Sequence, residues 1–120
     1  MIASVGNVAA SGGYYIIAPC DKIVAQPGSI TGSIGVFGGK MLVRDFLENK
    51  VGITEDSVKI GANSDAMSAM EDFTPAQWER FQKSIDHTYE IFLDRVSKGR
   101  KIEMASLLHI AGGRVFTGTE

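Results

Sequence analysis

Among the residues of this chain whose types and spacing could do chemistry, Ser11 is the most openly displayed. It lies in Val8-Ala9-Ala10-Ser11-Gly12-Gly13-Tyr14-Tyr15, between residues too small to obstruct an approaching reactant. The preceding Ile2-Ala3-Ser4-Val5 is apolar and β-branched enough for a buried strand, and Gly6-Asn7 is a turn signal. Tyr14 to Ala18 supports one or two helical turns before Pro19 stops them. A serine at such a strand-to-helix junction has the N–H groups of Gly12 and Gly13 beside it without helical partners. Such donors suit a developing oxyanion, so the pattern points to nucleophilic attack on a carbonyl. The same residues also read as a tight turn with Ser11 as a helix cap. Ala9 stands where a G-x-S-x-G elbow would place its first glycine. Local chemistry leaves both readings open.

A serine hydroxyl is a poor nucleophile until a base takes its proton. His87 and His109 are the only histidines. His87 falls between the apolar positions Ile85 and Tyr89, on the expected polar face of a helix, and a triad with Asp86 or Asp94 requires a convergence that nothing in the sequence dictates. His109 reads as a partly buried helix residue. Lys59 and Lys22 are alternative bases, but a lysine with no specified partner reads first as a solvated surface charge. Gly32, Gly35, Gly38 and Gly39 fit neither G-x-G-x-x-G nor a P-loop, which excludes nucleotide binding there. Cys20 is the only cysteine, so neither an internal disulfide nor a cysteine metal cluster is possible.

The elements that must position these groups follow from the apolar spacing. A chain of 120 residues with 44% apolar composition is one domain or part of one. Its net charge of −2 and the lack of a basic run exclude a nucleic-acid partner. No stretch reaches the length of a membrane span, and no signal peptide precedes the first strand. The chain starts inside a strand pattern and stops at Thr119-Glu120 after a strand and turn signal, so it reads as a segment of a longer protein. Ile23-Val24-Ala25 predicts a second strand closed by Pro27-Gly28, and loop and strand alternate from Ser29 to Phe37. Met41, Leu42, Phe46 and Leu47 predict an amphipathic helix over 40–50, ended near Gly52. Ser57 to Ile60 reads as a strand, and Gly61 to Asp72 as a loop. Thr74-Pro75-Ala76-Gln77 carries a capping box with proline at the first helical position. Trp78, Phe81, Ile85, Tyr89, Phe92 and Val96 then recur on one face for about six turns, a stripe that suits a core or a subunit interface. Ser97 to Lys101 ends that helix, a shorter one spans Glu103 to Ala111, and Arg114-Val115-Phe116 forms a last strand. Strands alternating with helices give an α/β fold with parallel pairing.

Three stretches taken together resemble a known family: Ala10-Ser11-Gly12-Gly13-Tyr14-Tyr15, Asp21-Lys22-Ile23-Val24-Ala25, and Ile30-Thr31-Gly32-Ser33-Ile34-Gly35-Val36. Gly61-Ala62, Met67-Ser68 and Gly113-Arg114-Val115-Phe116-Thr117-Gly118 extend the likeness nearly end to end. The family is signal peptide peptidase A (protease IV), peptidase family S49, a group of serine peptidases. The resemblance implies a crotonase-like, Clp-protease-like superhelix of ββα units, of which residues 1–120 would be a single, truncated catalytic segment. It implies Ser11 as nucleophile, Gly12 N–H as an oxyanion donor, and Ser33 as the hydroxyl that holds a general-base lysine. In short members of the family that lysine lies in the loop that here reads Gly61 to Ser68, where Ser64 takes its place. Long members contain two repeats, with the lysine in the first and the serine in the second, so this chain would be a serine-bearing C-terminal repeat whose base comes from elsewhere. The second oxyanion donor would lie upstream of the first strand. The isolated chain is then expected to be inactive. The resemblance further implies remnant signal peptides as substrate, no cofactor or metal, a ring of identical subunits, and attachment of the parent protein to the bacterial inner membrane on its periplasmic face. The competing readings are a protease-like scaffold without catalysis and, more distantly, a crotonase-type acyl-CoA enzyme.

Overall fold

The computed structural model describes residues 1–120. It divides into two compact units, one of Met1–Phe37 with Ile85–Glu120 and one of Gly38–Ser84.

The first unit holds all five strands, and its backbone pairing is what positions Ser11. β1 (Ile2–Ser4) pairs in parallel with β3 (Lys22–Val24), placing Ile2 opposite Lys22. β2 (Val8–Ala10) pairs in parallel with β4 (Ile30–Gly32), and β4 pairs with β5 (Val115–Thr117), giving the order β2-β4-β5. The pairing of β4 with β5 is antiparallel, with Gly32 opposite Val115, which corrects the expectation of parallel pairing throughout. The physical reason is the route of the chain: α4 (Met104–Ile110) and the turn at Gly112-Gly113 return β5 to the sheet in the reverse direction. The architecture is a mixed α/β one.

Three helices close the core of this unit, one of them α4. α1 (Gly12–Ile17) follows β2 directly, and α3 (Pro75–Arg100) contributes its turns from Ile85 onward. Phe92, Leu93 and Val96 of α3 are buried with Ala18, Ile34, Leu107 and Ala111, and Tyr14, Tyr15, Tyr89, Ile102 and Ile110 flank them. The three- and four-residue spacing of α3 thus faces the core as its period requires. Gly99 allows a close approach there: a Cβ at this position would collide with the carbonyl of Ala18 and lie 2.8 Å from Cα of Pro19. Cys20, just beyond, is a buried free thiol. His109 is exposed on α4, not partly buried as its position suggested. It sits off the face that carries Leu107 and Ala111 inward.

The second unit departs further from its sequence pattern. Its first helix begins at Arg44 rather than near residue 40, and Val43 before it lies outside the helical region at φ −120°, ψ −3°. α2 (Arg44–Phe46) then widens into a π-helical turn over Leu47–Val51, closed by Gly52 with φ 74°. Ser57 to Ile60 forms no strand, since nothing pairs with it, and Val58 and Ile60 are 98% and 89% exposed. β-branched composition favours a strand only where a neighbour supplies the ladder. The start of α3 follows the capping-box pattern: the Thr74 N–H donates to Gln77 Oε1 at 2.9 Å and the Gln77 N–H donates to Thr74 Oγ1 at 3.3 Å. Phe73, Trp78 and Phe81 cluster beside it, with the Phe73 and Phe81 rings stacked at 5.0 Å and Lys40 Nζ 4.1 Å from the centre of Phe73. Only Met70 and Gln77 are buried in this unit.

Candidate active site

Ser11 caps the end of β2 at the point where α1 begins, and its backbone sits at φ 51°, ψ −120°. That is a sparsely populated region for a residue with a side chain, costing about 1–3 kcal/mol. The turn is held from both sides. The Ser11 N–H donates to the Gly32 carbonyl at 2.9 Å, and the Ser11 carbonyl accepts from the Tyr15 N–H at 2.9 Å as the first bond of α1. Ser11 makes no cap hydrogen bond with its side chain and is exposed. Its hydroxyl therefore does not serve as a helix cap. A sharp strand-to-helix turn that strains the backbone and frees the hydroxyl is the geometry by which a nucleophilic serine is presented.

The N–H groups of Gly12 and Gly13 precede the first hydrogen bond of α1. Gly12 is exposed, and a Cβ there would meet nothing within 4 Å, so the space beside Ser11 is open. Ser11 and Gly12 lie in the wall of a cavity of about 370 Å³, completed by Tyr15, Val36, Phe37, Ile91 and Phe92 among others. This lining is predominantly apolar. Tyr15 is fixed within it by an edge-to-face contact with Phe92 at 5.3 Å and by Arg95 4.1 Å from its ring centre. Of these wall residues, Ser11, Gly12, Tyr15, Val36 and Phe92 lie in stretches that the sequence pattern singles out. The signal for Ile91 is an apolar side chain one position off the core stripe, and Phe37 stands out only in the fold, 98% exposed at the edge of the cavity.

Ser33 follows Gly32, whose carbonyl receives the Ser11 amide. It too has a left-handed backbone, φ 52°, and its N–H donates to the Arg114 carbonyl at 2.6 Å. Ser33 is half-buried.

Ser64 belongs to the other unit. It is exposed, and its hydroxyl donates to the Gly61 carbonyl at 3.0 Å, closing a local turn. A hydroxyl has no basic nitrogen, so this position offers no base. Lys59 is corrected as a base candidate: its Nζ lies 2.7 Å from Asp65 Oδ2 and 3.2 Å from Glu71 Oε2. Hydrogen bonding, to Asp65 first and then Glu71, holds the Lys59 ammonium above its ordinary value. A base must instead be neutral. Lys22 is exposed on β3. His87 is exposed on α3, and a triad through either aspartate fails on helical geometry. Asp86 is displaced by about 100° around the axis and Asp94 by about 10 Å along it, while Asp94 pairs with Lys98 at 2.8 Å.

The family model of peptidase family S49 matches residues 1–120. A Synechocystis sp. protein with the provisional name of a protease is 39% identical over 121 residues, covering 100% of this chain and 43% of the relative. The chloroplastic serine protease SPPA of Arabidopsis thaliana is 35% identical over 121 residues, covering 100% of this chain and 18% of the relative. Protease 4 of Salmonella typhi is 36% identical over 120 residues, again covering 100% of this chain and 19% of the relative. The chain thus spans less than half the length of each of these relatives.

Proposed function

The chain belongs to peptidase family S49, and from that premise we propose that it is the serine-bearing segment of a serine endopeptidase with Ser11 as nucleophile. The observation that carries this reading is the strained, exposed Ser11 at φ 51°, ψ −120° in the wall of an apolar cavity. Ser11 Oγ attacks the scissile carbonyl carbon and passes its proton to a lysine, forming a tetrahedral intermediate. The Gly12 N–H donates to the resulting oxyanion. The C–N bond then breaks, the lysine returns the proton to the departing amine, and water hydrolyses the acyl-enzyme by the reverse proton path.

The base is a lysine supplied by another repeat of the full-length protein. Two points support an outside base: by the family resemblance Ser64 stands where short members carry the lysine, and Lys59 is committed to two carboxylates. Ser33 holds that lysine, and a glycine-rich segment outside these residues gives the second oxyanion donor. The substrate is the apolar remnant of a signal peptide, whose side chains suit a cavity walled by Tyr15, Val36, Phe37 and Phe92. No helix here is long and apolar enough to cross a membrane, so attachment to the periplasmic face of the bacterial inner membrane is through the parent protein. The fold completes a crotonase-like ββα superhelix, and subunits assemble as a ring. No cofactor or metal takes part.

The test is reaction of the full-length protein with a fluorophosphonate probe, beside its Ser11→Ala variant and residues 1–120 alone. Labelling at Ser11 in the full-length protein, with none in the variant and none in the isolated chain, is the expected result. Serine in place of lysine at residue 64 also favours a second reading, a non-catalytic scaffold, and a folded full-length protein that takes no label would establish that instead.

A further inference from the structure

We infer that Phe116 is a positioning residue for Ser11, acting through the backbone of Gly32; this rests on the reading of Ser11 as nucleophile. The strained turn needs an anchor on its strand side, and there the structure gives it the bond from the Ser11 N–H to the Gly32 carbonyl at 2.9 Å. That bond extends the β2–β4 ladder one residue past the Ala10–Gly32 pair. The direction of the Gly32 carbonyl therefore sets the peptide plane before Ser11, and with it the φ at which the serine enters α1.

Gly32 is itself held in the left-handed region, φ 75°, and what lies over it is the Phe116 ring. An ideal Cβ on Gly32 would lie 2.6 Å from Phe116 Cδ2, 3.2 Å from Cε2 and 3.0 Å from the Arg114 carbonyl oxygen. The ring edge thus fills the space a side chain would take, directly against the glycine backbone. Its surroundings fix it there. The Thr31 hydroxyl donates to the Phe116 carbonyl at 3.4 Å, the Arg114 carbonyl accepts the Ser33 N–H at 2.6 Å, and the Arg114 guanidinium stands 5.5 Å from the Phe116 ring centre. One step further on, the Gly113 N–H donates to the Ile34 carbonyl at 3.0 Å, and Gly35 is so close that a Cβ would lie 2.9 Å from Gly113 N. Gly113 to Phe116 therefore grips the backbone from Thr31 to Gly35 and leaves Gly32 no room to relax. Without the ring, Gly32 is free to leave its left-handed conformation, its carbonyl turns, and Ser11 loses its anchor. Misplacement of a reacting group by about 1 Å costs about 10²-fold in rate.

The experiment compares full-length wild type with Phe116→Ala, Phe116→Tyr, which keeps the ring edge, and Leu107→Ala, a core truncation away from Gly32. Two readouts are taken at equal folded fraction: hydrogen exchange of peptides covering residues 8–15 and 30–35, and the rate of Ser11 labelling at saturating fluorophosphonate. The expected result is faster exchange of both peptides in Phe116→Ala and labelling slowed by about 10²-fold, with the half-saturating probe concentration unchanged and both effects reversed in Phe116→Tyr. Unchanged exchange in Phe116→Ala, or labelling slowed no more than in Leu107→Ala, overturns the positioning role. Wild type that takes no label overturns the reading of Ser11 instead, and the exchange data then still decide whether Phe116 holds the Ser11 backbone.

Discussion

The unit that carries Ser11 and the unit of residues 38–84 are held together by different forces. The first buries Phe92, Leu93, Val96, Ile34 and Leu107 around Ala18 and Ala111. The second leaves Met41, Phe46, Val58, Ile60 and Trp78 exposed and is tied by ion pairs, hydrogen bonds and aromatic contacts. In it Lys59 joins Asp65 to Glu71, Arg44 reaches Glu71 at 3.1 Å, and Gln77 Nε2 donates to Asp65 Oδ1 at 2.8 Å. Hydrophobic burial is the larger and less salt-sensitive stabiliser, whereas exposed ion pairs contribute little each. A backbone held at a costly φ persists only where its surroundings over-determine it. The unit with the core is the one that contains the strained serine.

Substitutions test that contrast over a wide range of effect. Ser11→Ala should lower peptidase activity of the full-length protein by at least about 10³-fold, with circular dichroism and Tm preserved; retained activity would remove Ser11 from the chemistry. Leu107→Ala should cost the first unit about 2–5 kcal/mol in denaturant unfolding, while Leu42→Ala in the second should shift stability by less than about 0.5 kcal/mol. Equal losses would erase the distinction between the units. Thr74→Ala removes half of the capping box and should cost about 1 kcal/mol, read as increased amide exchange confined to the first turns of α3.

The smallest effect concerns the Lys59 network, and its sign follows from the shifts. Asp65 and Glu71 are both held below their ordinary values, first by the hydrogen bond from Lys59, and Lys59 is held above its own. Depressed carboxylates contribute stability that is present above their unfolded values and lost as pH falls through the folded ones. The raised lysine contributes below its unfolded value and is lost as pH rises through the folded one. The network should therefore support the second unit across neutral pH and fail at both acid and strongly alkaline pH. Lys59→Met should produce only a slight fall in Tm, abolished by high salt; a fall that salt leaves intact would mean the lysine acts through packing.

What the sequence made legible was local. The α3 stripe and the Thr74–Gln77 box depend on neighbours within one or two turns; the box forms as its spacing requires, and the stripe reaches the core at Tyr89, Phe92 and Val96 while Trp78 stays half exposed. The exposed serine between small residues was legible for the same reason. Ser57 to Ile60 had the composition of a strand, but a strand needs a partner that composition does not supply. β2, with only Val8, Ala9 and Ala10, was too short and too small to stand out, yet it pairs with β4 in register. The grip of Phe116 on Gly32 and the cavity wall at Ile91 and Phe37 join residues far apart in the chain, and no local pattern encodes them.

The antiparallel closure of β4 by β5 has a consequence for the order of assembly. Thr31 and Phe116, which pair across it, are 85 residues apart in sequence. At about 5–20 residues per second of synthesis, about 4–17 s separate the appearance of the two strands. During that interval β2, β4 and α1 already exist as chain, but the residues that close over Gly32 do not. Contacts of such separation also form late in refolding, because loop closure must precede any gain from them. The Ser11 turn is thus among the last features of its unit to be finished, and on the reading of Ser11 as nucleophile its display awaits the docking of β5.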